Sequence, residues 1–344
     1  MNIAINGAGR IGRCLIRKII LDENLNLTHI NDPYLTPESF CYLLKYDSIY
    51  GSLKNKIKIL KKNQIIFEKK KIIFTRHKNL YDSKLSKDIN IVIDSSGIKK
   101  NHNQLHKLIK KNNFKAIITH TYEKSDIQIV FGVNESKFNY KKHNLISSSI
   151  CDAVAIGPIL SLINNNFKIN NASILTLHPW LGYQNLVDGP SRSFAYPGEI
   201  VENFSLGRAS TETLISKKTS CIKAIDNIMP GMLKKSSSMS IRVPTQIVSS
   251  AHIYLTFKKK INLNKLLFEI NNFIKNQQHK IFMLNKDQCI SKDFVANEYS
   301  SIIDERWIEV KNNNLRLLIW YDNEFGYSSR VIDLIKRIKI HEKV

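Results

Sequence analysis

The chain opens Asn2-Ile3-Ala4-Ile5-Asn6 and runs straight into Gly7-Ala8-Gly9-Arg10-Ile11-Gly12. An apolar, strand-like run broken by glycines in a G-x-G-x-x-G pattern needs a physical reason for each glycine. Gly7 allows a tight turn, Gly9 lets a pyrophosphate approach the backbone, and Gly12 lets a helix pack closely on the strand. Arg10–Leu21 has the spacing of an amphipathic helix. Its N-terminus would offer free N–H groups and a positive dipole end to phosphates. A second strand, Leu27–Asn31, ends at Asp32, about 20 residues past the last glycine, where a carboxylate can accept from both ribose hydroxyls. The same charge would repel a 2′-phosphate, which favours NAD over NADP.

Working outward, Ile91–Asp94 and Ala116–Thr119 read as further short strands, separated by a helical segment at Asn103–Lys111. Strands alternating with helices predict a parallel sheet covered on both faces. The second half has a different texture. Ala172–Leu177, Ser238–Val243, Val248–Phe257 and Leu315–Tyr321 read as strands with few helices between them, Leu263–Lys275 being the clear one. A mixed or antiparallel sheet is expected there. The expected organisation is a nucleotide-binding domain at 1–150, completed by a C-terminal helix within 324–344, and a second domain at 151–323.

Composition bounds the function. The 344 residues are 43% hydrophobic and 24% charged, which gives a globular chain with ample core. The net charge of +23 raises nucleic acid as a partner. Lys, Asn and Ile are spread along the whole chain, however, and the densest basic run, Lys69-Lys70-Lys71, has few aromatic residues between its charges. No nucleic-acid partner is expected, and the charge reads as a compositional bias. The five cysteines are widely spaced without a C-x-x-C pair, so neither a disulfide framework nor a metal knuckle is expected. No metal is expected either at His102 and His106, four apart on a helix, which read as a solvated face. Cys14, Cys41, Cys221 and Cys289 read as core or incidental. The sequence lacks a signal peptide and an apolar run of bilayer length, so a cytoplasmic protein with no membrane partner is expected.

Several motifs occur in order: Ile5 to Arg13, Ile30-Asn31-Asp32-Pro33, Tyr46-Asp47-Ser48, Asp94-Ser95-Ser96-Gly97 and Gly132-Val133-Asn134. Val187-Asp188-Gly189-Pro190-Ser191, Arg242-Val243-Pro244-Thr245 and Trp320-Tyr321-Asp322-Asn323-Glu324-Phe325-Gly326-Tyr327 follow. As an ordered set covering nearly the whole chain, they resemble the glyceraldehyde-3-phosphate dehydrogenase family. The resemblance implies an α/β protein: a Rossmann-type parallel-sheet domain and a catalytic α+β domain with a mixed sheet. It implies NAD as cofactor, held by Gly7, Gly9, Arg10, Ile11, Asp32, Ser96, Thr119, Asn323 and Tyr327. Asn323 would hold the nicotinamide amide and Tyr327 would pack near the ring. It also implies a homotetramer and a place in glycolysis.

The family's nucleophile falls on Cys151 and its base on His178. A helix beginning at Asp152 would place Cys151 at its N-terminus, where the dipole should lower the thiol pKa. The thiolate would add to an aldehyde, His178 would take the hydroxyl proton, and hydride transfer to NAD would leave a thioester. Arg208, Thr219 and Arg242 stand where the family binds anions.

Departures cluster around this centre. The family's Ser and Thr flanking the cysteine are Ile150 and Asp152 here; its Asn and second Cys are Val154 and Ala155; two threonines beyond the histidine are Leu181 and Tyr183. Asp152 should repel a phosphate and oppose the thiolate. The stretch from Ser191 to Thr219 is about nine residues longer than the family's and contains Phe194-Ala195-Tyr196-Pro197-Gly198-Glu199. That segment would lie near the cofactor and a subunit interface. Three readings stay open: oxidation of glyceraldehyde 3-phosphate, a divergent enzyme for another aldehyde such as erythrose 4-phosphate or one that releases acid without phosphate, and an NAD-binding protein without turnover.

Overall fold

The computed structural model describes residues 1–61, 63–191 and 204–342. The segment Phe194–Glu199 lies outside them. The chain divides into two units, each with its own sheet. Unit 1 comprises residues 1–129, 137–149 and 328–344; unit 2 comprises 130–136 and 150–327.

Unit 1 begins as the glycine pattern dictates. Strand β1 (Asn2–Asn6) turns at Gly7 into helix α1 (Arg10–Leu21), and β2 (Asn26–Asn31) returns parallel to β1. Gly7 has φ +93°, and a Cβ there would lie 2.5 Å from the backbone of Ser96. A Cβ on Gly12 would lie 2.0 Å from the carbonyl oxygen of Gly7. Only glycine admits both the turn and the helix-to-strand approach. After α2 (Pro37–Lys45), whose Thr36 side chain caps the Ser39 N–H, come β3 (Ile57–Lys61), β4 (Gln64–Phe67) and β5 (Lys70–Thr75). These are followed by β6 (Ile91–Asp94), α3 (Lys99–Asn112), β7 (Lys115–Ile118), β8 (Ile127–Gln128) and β9 (Leu145–Ser147). The sheet order is β3-β4-β5-β2-β1-β6-β7-β9-β8. Its pairs are parallel except β3–β4 and β4–β5. This antiparallel margin departs from the all-parallel expectation; it is a hairpin-linked edge, which needs no crossover helix.

Helix α3 corrects the reading of His102. Its inner stripe is Asn101, His102, Leu105 and Leu108, all buried. His102 therefore faces the sheet, with its Nε2 at 2.8 Å from Nε2 of His120 and 3.5 Å from Asp94 Oδ2. Helical spacing to Leu105 and Leu108 outweighed the polar character of the segment. His106 is only partly buried.

Unit 2 contains α4 (Cys151–Phe167), β10 (Ile169–Pro179), β11 (Ile215–Lys217), α5 (Cys221–Ile228) and β12 (Ser236–Val243). It continues through β13 (Ser249–Phe257), α6 (Leu263–Asn276), β14 (Phe282–Asn285), β15 (Ser301–Lys311) and β16 (Asn314–Tyr321). The sheet runs β11-β12-β10-β13-β16-β15-β14 and is mixed: β10–β12 and β14–β15 are parallel, the rest antiparallel. Helix α4 is apolar on nearly every side and packs on α5, α6 and β15. The last helix, α7 (Phe325–Glu342), ties its far end into unit 1, where Lys336 pairs with Asp22 at 2.8 Å. Among the described residues no helix is long and apolar enough to cross a membrane.

Candidate active site

The nucleotide end of unit 1 is built on one edge of the parallel sheet. Gly7 follows β1, Asp32 follows β2, Ser96 follows β6 and Thr119 follows β7, so four adjacent strands deliver these residues at their carboxyl ends. That edge is where open parallel sheets bind ligands. Gly9 is the N-cap of α1 and contributes no side-chain cap, so the first N–H groups of the helix keep no intrahelical partner. Nothing lies within 4 Å of the point a Gly9 Cβ would occupy, which leaves the backbone open to a phosphate. Asp32 is buried and accepts from the Ala8 N–H at 2.8 Å and the Tyr34 N–H at 2.9 Å. Its carboxylate thus locks the glycine turn and keeps lone pairs for a ribose. Ser96 donates its hydroxyl to Asp94 at 2.7 Å, and Thr119 bonds the Asp94 carbonyl at 3.2 Å. Arg10 pairs with Asp47 at 2.7 Å, and Ile11 sits half-buried in the first turn. These residues fit a dinucleotide.

In unit 2, Tyr327 is buried and Asn323 is half-buried. The Oδ1 of Asn323 is buried without a hydrogen-bond partner. An orphaned acceptor of this kind suits the amide of a nicotinamide.

The reaction centre of unit 2 gathers residues from four elements. Cys151 opens α4 behind Ile150, an extended N-cap with no side-chain bond. His178 stands one residue from the end of β10, opposite Arg242 of β12. The Cys151 Sγ lies 3.7 Å from His178 Nε2 and 3.6 Å from Asp152 Oδ1. The tightest bond of the group is His178 Nε2 to Asp152 Oδ1, at 2.8 Å. Tyr321, the last residue of β16, donates its hydroxyl to that same oxygen at 2.9 Å. Asp152 Oδ2 lies 3.4 Å from Thr219 Oγ1, which also caps the Cys221 N–H at 3.1 Å.

This geometry corrects one expectation and adds to another. The thiol of Cys151 is not lowered: burial pushes it well above its ordinary value, and the Asp152 charge adds to that, outweighing Arg242 and the Asp152 N–H. The helix N-terminus is present but does not win, because desolvation of the thiolate is the larger effect. Asp152 opposes the thiolate as expected, but it is also a paired group. Burial alone would raise its pKa; the His178 charge and bonds, the Tyr321 hydroxyl and Arg242 bring it down to about 2. An ionised carboxylate only accepts, so the proton of the His178–Asp152 bond resides on Nε2. The other ring nitrogen, Nδ1, is buried without a partner.

Thr219 and Arg242 belong to this centre. Arg242 is buried and bonds the Pro179 carbonyl at 2.9 Å. Arg208 does not join them: its guanidinium pairs with Asp188 at 2.7 Å on the surface, and among the described residues it makes no contact with Cys151, Asp152 or His178. Two residues escaped the sequence reading. Lys217 shares the Arg242 face of the sheet and lies close enough to Asp152 and Cys151 for their charges to act on it, though burial lowers its pKa overall. Tyr321 is the second donor to Asp152. The sulfur, carboxylate oxygen and imidazole nitrogen of Cys151, Asp152 and His178 lie within 4.8 Å of one another. That is compact enough for a metal ion, but Arg242 and Lys217 put positive charge on the same spot, which opposes a cation.

Comparison with known proteins agrees with both halves. Residues 1–102 match the family model described as the glyceraldehyde 3-phosphate dehydrogenase NAD binding domain, and residues 150–323 match that of the C-terminal domain. Glyceraldehyde-3-phosphate dehydrogenase 2 of Kluyveromyces marxianus is 31% identical over 339 residues, covering 98% of this chain and 99% of the relative. The cytosolic glyceraldehyde-3-phosphate dehydrogenase of Antirrhinum majus is 30% identical over 338 residues, 97% of each chain. That of Pisum sativum is 30% identical over 341 residues, 98% of each. NAD is the cofactor, and the chain is an oxidoreductase of the glyceraldehyde-3-phosphate dehydrogenase family.

Proposed function

We propose that this chain oxidises an aldehyde, glyceraldehyde 3-phosphate or a related phosphorylated one, through a thioester on Cys151. The observation that carries the reading is the approach of Cys151 to His178, 3.7 Å apart at a helix N-terminus. Neither residue is needed merely to bind NAD. When bound, NAD supplies the hydride acceptor. The chain's own residues do the rest. Cys151 enters as a thiol whose S–H points at Asp152 Oδ1. As the sulfur adds to the carbonyl carbon, that proton is relayed by the Asp152 carboxylate to the carbonyl oxygen, which gives a hemithioacetal. The hydroxyl proton passes to the Asp152 carboxylate, which the His178 Nε2–H and the Tyr321 hydroxyl hold beside the sulfur, as hydride departs. His178, expected as the base, acts here through that carboxylate. Arg242 and Lys217 supply positive charge for the phosphate of the substrate. Oxidation of this kind by a chain of this family fits a cytoplasmic homotetramer serving glycolysis.

The test is reduction of NAD by the purified chain with glyceraldehyde 3-phosphate and erythrose 4-phosphate, beside Cys151→Ser. A loss of at least about a thousandfold in turnover, with NAD affinity unchanged, is expected. Equal rates in the two proteins would remove Cys151 from the chemistry.

A further inference from the structure

We propose that the thioester on Cys151 is released to water rather than to inorganic phosphate, because Asp152 occupies the place of an entering anion. The proposal rests on the thioester reading above. A phosphate acceptor would need its own anion-binding groups beside the sulfur, separate from those that hold the substrate's charge. The centre offers Arg242, Lys217 and the Thr219 hydroxyl. Arg242 and Lys217 stand on the His178 face of the sheet, since Arg242 is in register with His178 and Lys217 with Ser240, two residues along the same strand. The carboxylate of Asp152 already faces this group. Its Oδ2 is 3.4 Å from Thr219 Oγ1, and both cations feel its charge. Asp152 offsets part of the positive charge of these two cations, which leaves the substrate's phosphate and an entering dianion competing for the remainder. Arg208 does not add to it, being held by Asp188.

An uncharged acceptor meets no such obstacle. Asp152 Oδ1 lies 3.6 Å from the sulfur that carries the acyl group, so a water bonded to that carboxylate adjoins the thioester carbon. The water oxygen forms a bond to that carbon while its proton passes to the Asp152 carboxylate. The carbon–sulfur bond then breaks, the sulfur recovers that proton as a thiol, and a carboxylic acid leaves. Thioester and water give acid and thiol, with nothing oxidised or reduced in this step.

Two routes to the acyl-enzyme keep this test separate from that of the oxidation. In the first, NAD and glyceraldehyde 3-phosphate are supplied in ¹⁸O-labelled water, with and without inorganic phosphate. In the second, p-nitrophenyl acetate acetylates Cys151 without NAD, and the lifetime of the acetyl-enzyme is followed by intact mass. The proposal expects label in the product carboxylate and a lifetime that phosphate changes by less than about twofold. It also expects Asp152→Thr to lengthen the lifetime in water and to make it phosphate-sensitive. Acceleration of the wild-type deacylation by phosphate of more than about tenfold, or an acyl phosphate product, would overturn it. If no aldehyde reduces NAD but the acetyl-enzyme still decays in water regardless of phosphate, the oxidation reading fails and the acceptor assignment stands. If Cys151 cannot be acylated at all, both fall.

Discussion

At the turn around Gly7 every residue sits where backbone geometry demands it: a positive φ, a Ser96 backbone so near that a Cβ would lie 2.5 Å from it, and a buried aspartate closing the loop. At the turn around Cys151 the backbone frame is as definite, with a helix opening on the cysteine and a strand ending beside it, but what holds the centre together is a group of side chains. The nucleotide end is constrained by main-chain sterics, which tolerate only glycine. The reaction centre is constrained by which side chains share protons and charge as a set. Asp152, His178 and Tyr321 form such a set, joined by bonds of 2.8 and 2.9 Å.

The largest expected effect sharpens the first half of that comparison. Gly7→Ala forces a Cβ into the Ser96 backbone at a positive φ, and should cost about 3 kcal/mol or more. A lowered thermal midpoint for unit 1 and lost NAD binding would be seen together. Gly9→Ala is the counterpart. Its Cβ meets nothing, so the melt should not move, while NAD affinity falls because the open space over the backbone is filled. Equal melts for the two variants would show that the Gly7 turn is not the rigid element described.

How much of this was legible in the sequence follows the same division. Helix α1 was read from end to end, because glycine spacing and apolar periodicity are local signals. The strands β3, β4 and β5 were not, since Lys-rich residues cover them; β3 is almost entirely exposed and shows no alternation. The short helix α5 hid between strands. In the site, Cys151 and His178 could be placed by motif. The partnership of Asp152 with Tyr321 could not, because the two are 169 residues apart and only the closing of β16 brings them together. His102 carried a usable signal, its spacing to Leu105 and Leu108, which lost to the surrounding lysines and asparagines.

A middle-sized effect tests whether the reaction-centre set is a unit. The pKa of Asp152 falls from 3.8 to about 2 on folding, after burial has been overcome by His178, Tyr321 and Arg242. A carboxyl lowered in the folded state stabilises it above the unfolded pKa and loses that contribution as pH falls through the folded one. The pair should therefore supply about 2 kcal/mol at neutral pH, declining from roughly pH 4 to pH 2. Asp152→Asn should lower the denaturation midpoint at pH 7, and the gap to wild type should narrow below pH 4. A gap independent of pH would mean that Asp152 contributes packing and not charge.

The smallest expected effect bears on the boundary of the altered region. Family resemblance assigns Arg208 to anion binding, whereas its Nε meets Asp188 Oδ2 at 2.7 Å with the two side chains 70% and 59% exposed. Asp188 also accepts from the Ala209 N–H at 2.9 Å, so the pair pins a surface turn. Exposed pairs of this kind are screened by water and salt, and contribute little. Arg208→Ala should change kcat/KM for a phosphorylated aldehyde by less than about twofold, while Arg242→Ala, at the buried end of β12, should change it far more. A tenfold rise in KM on losing Arg208 would require its guanidinium to leave Asp188 for the substrate. The anion site would then hold three cations rather than two, and the charge balance that turns away a second anion would have to be drawn again.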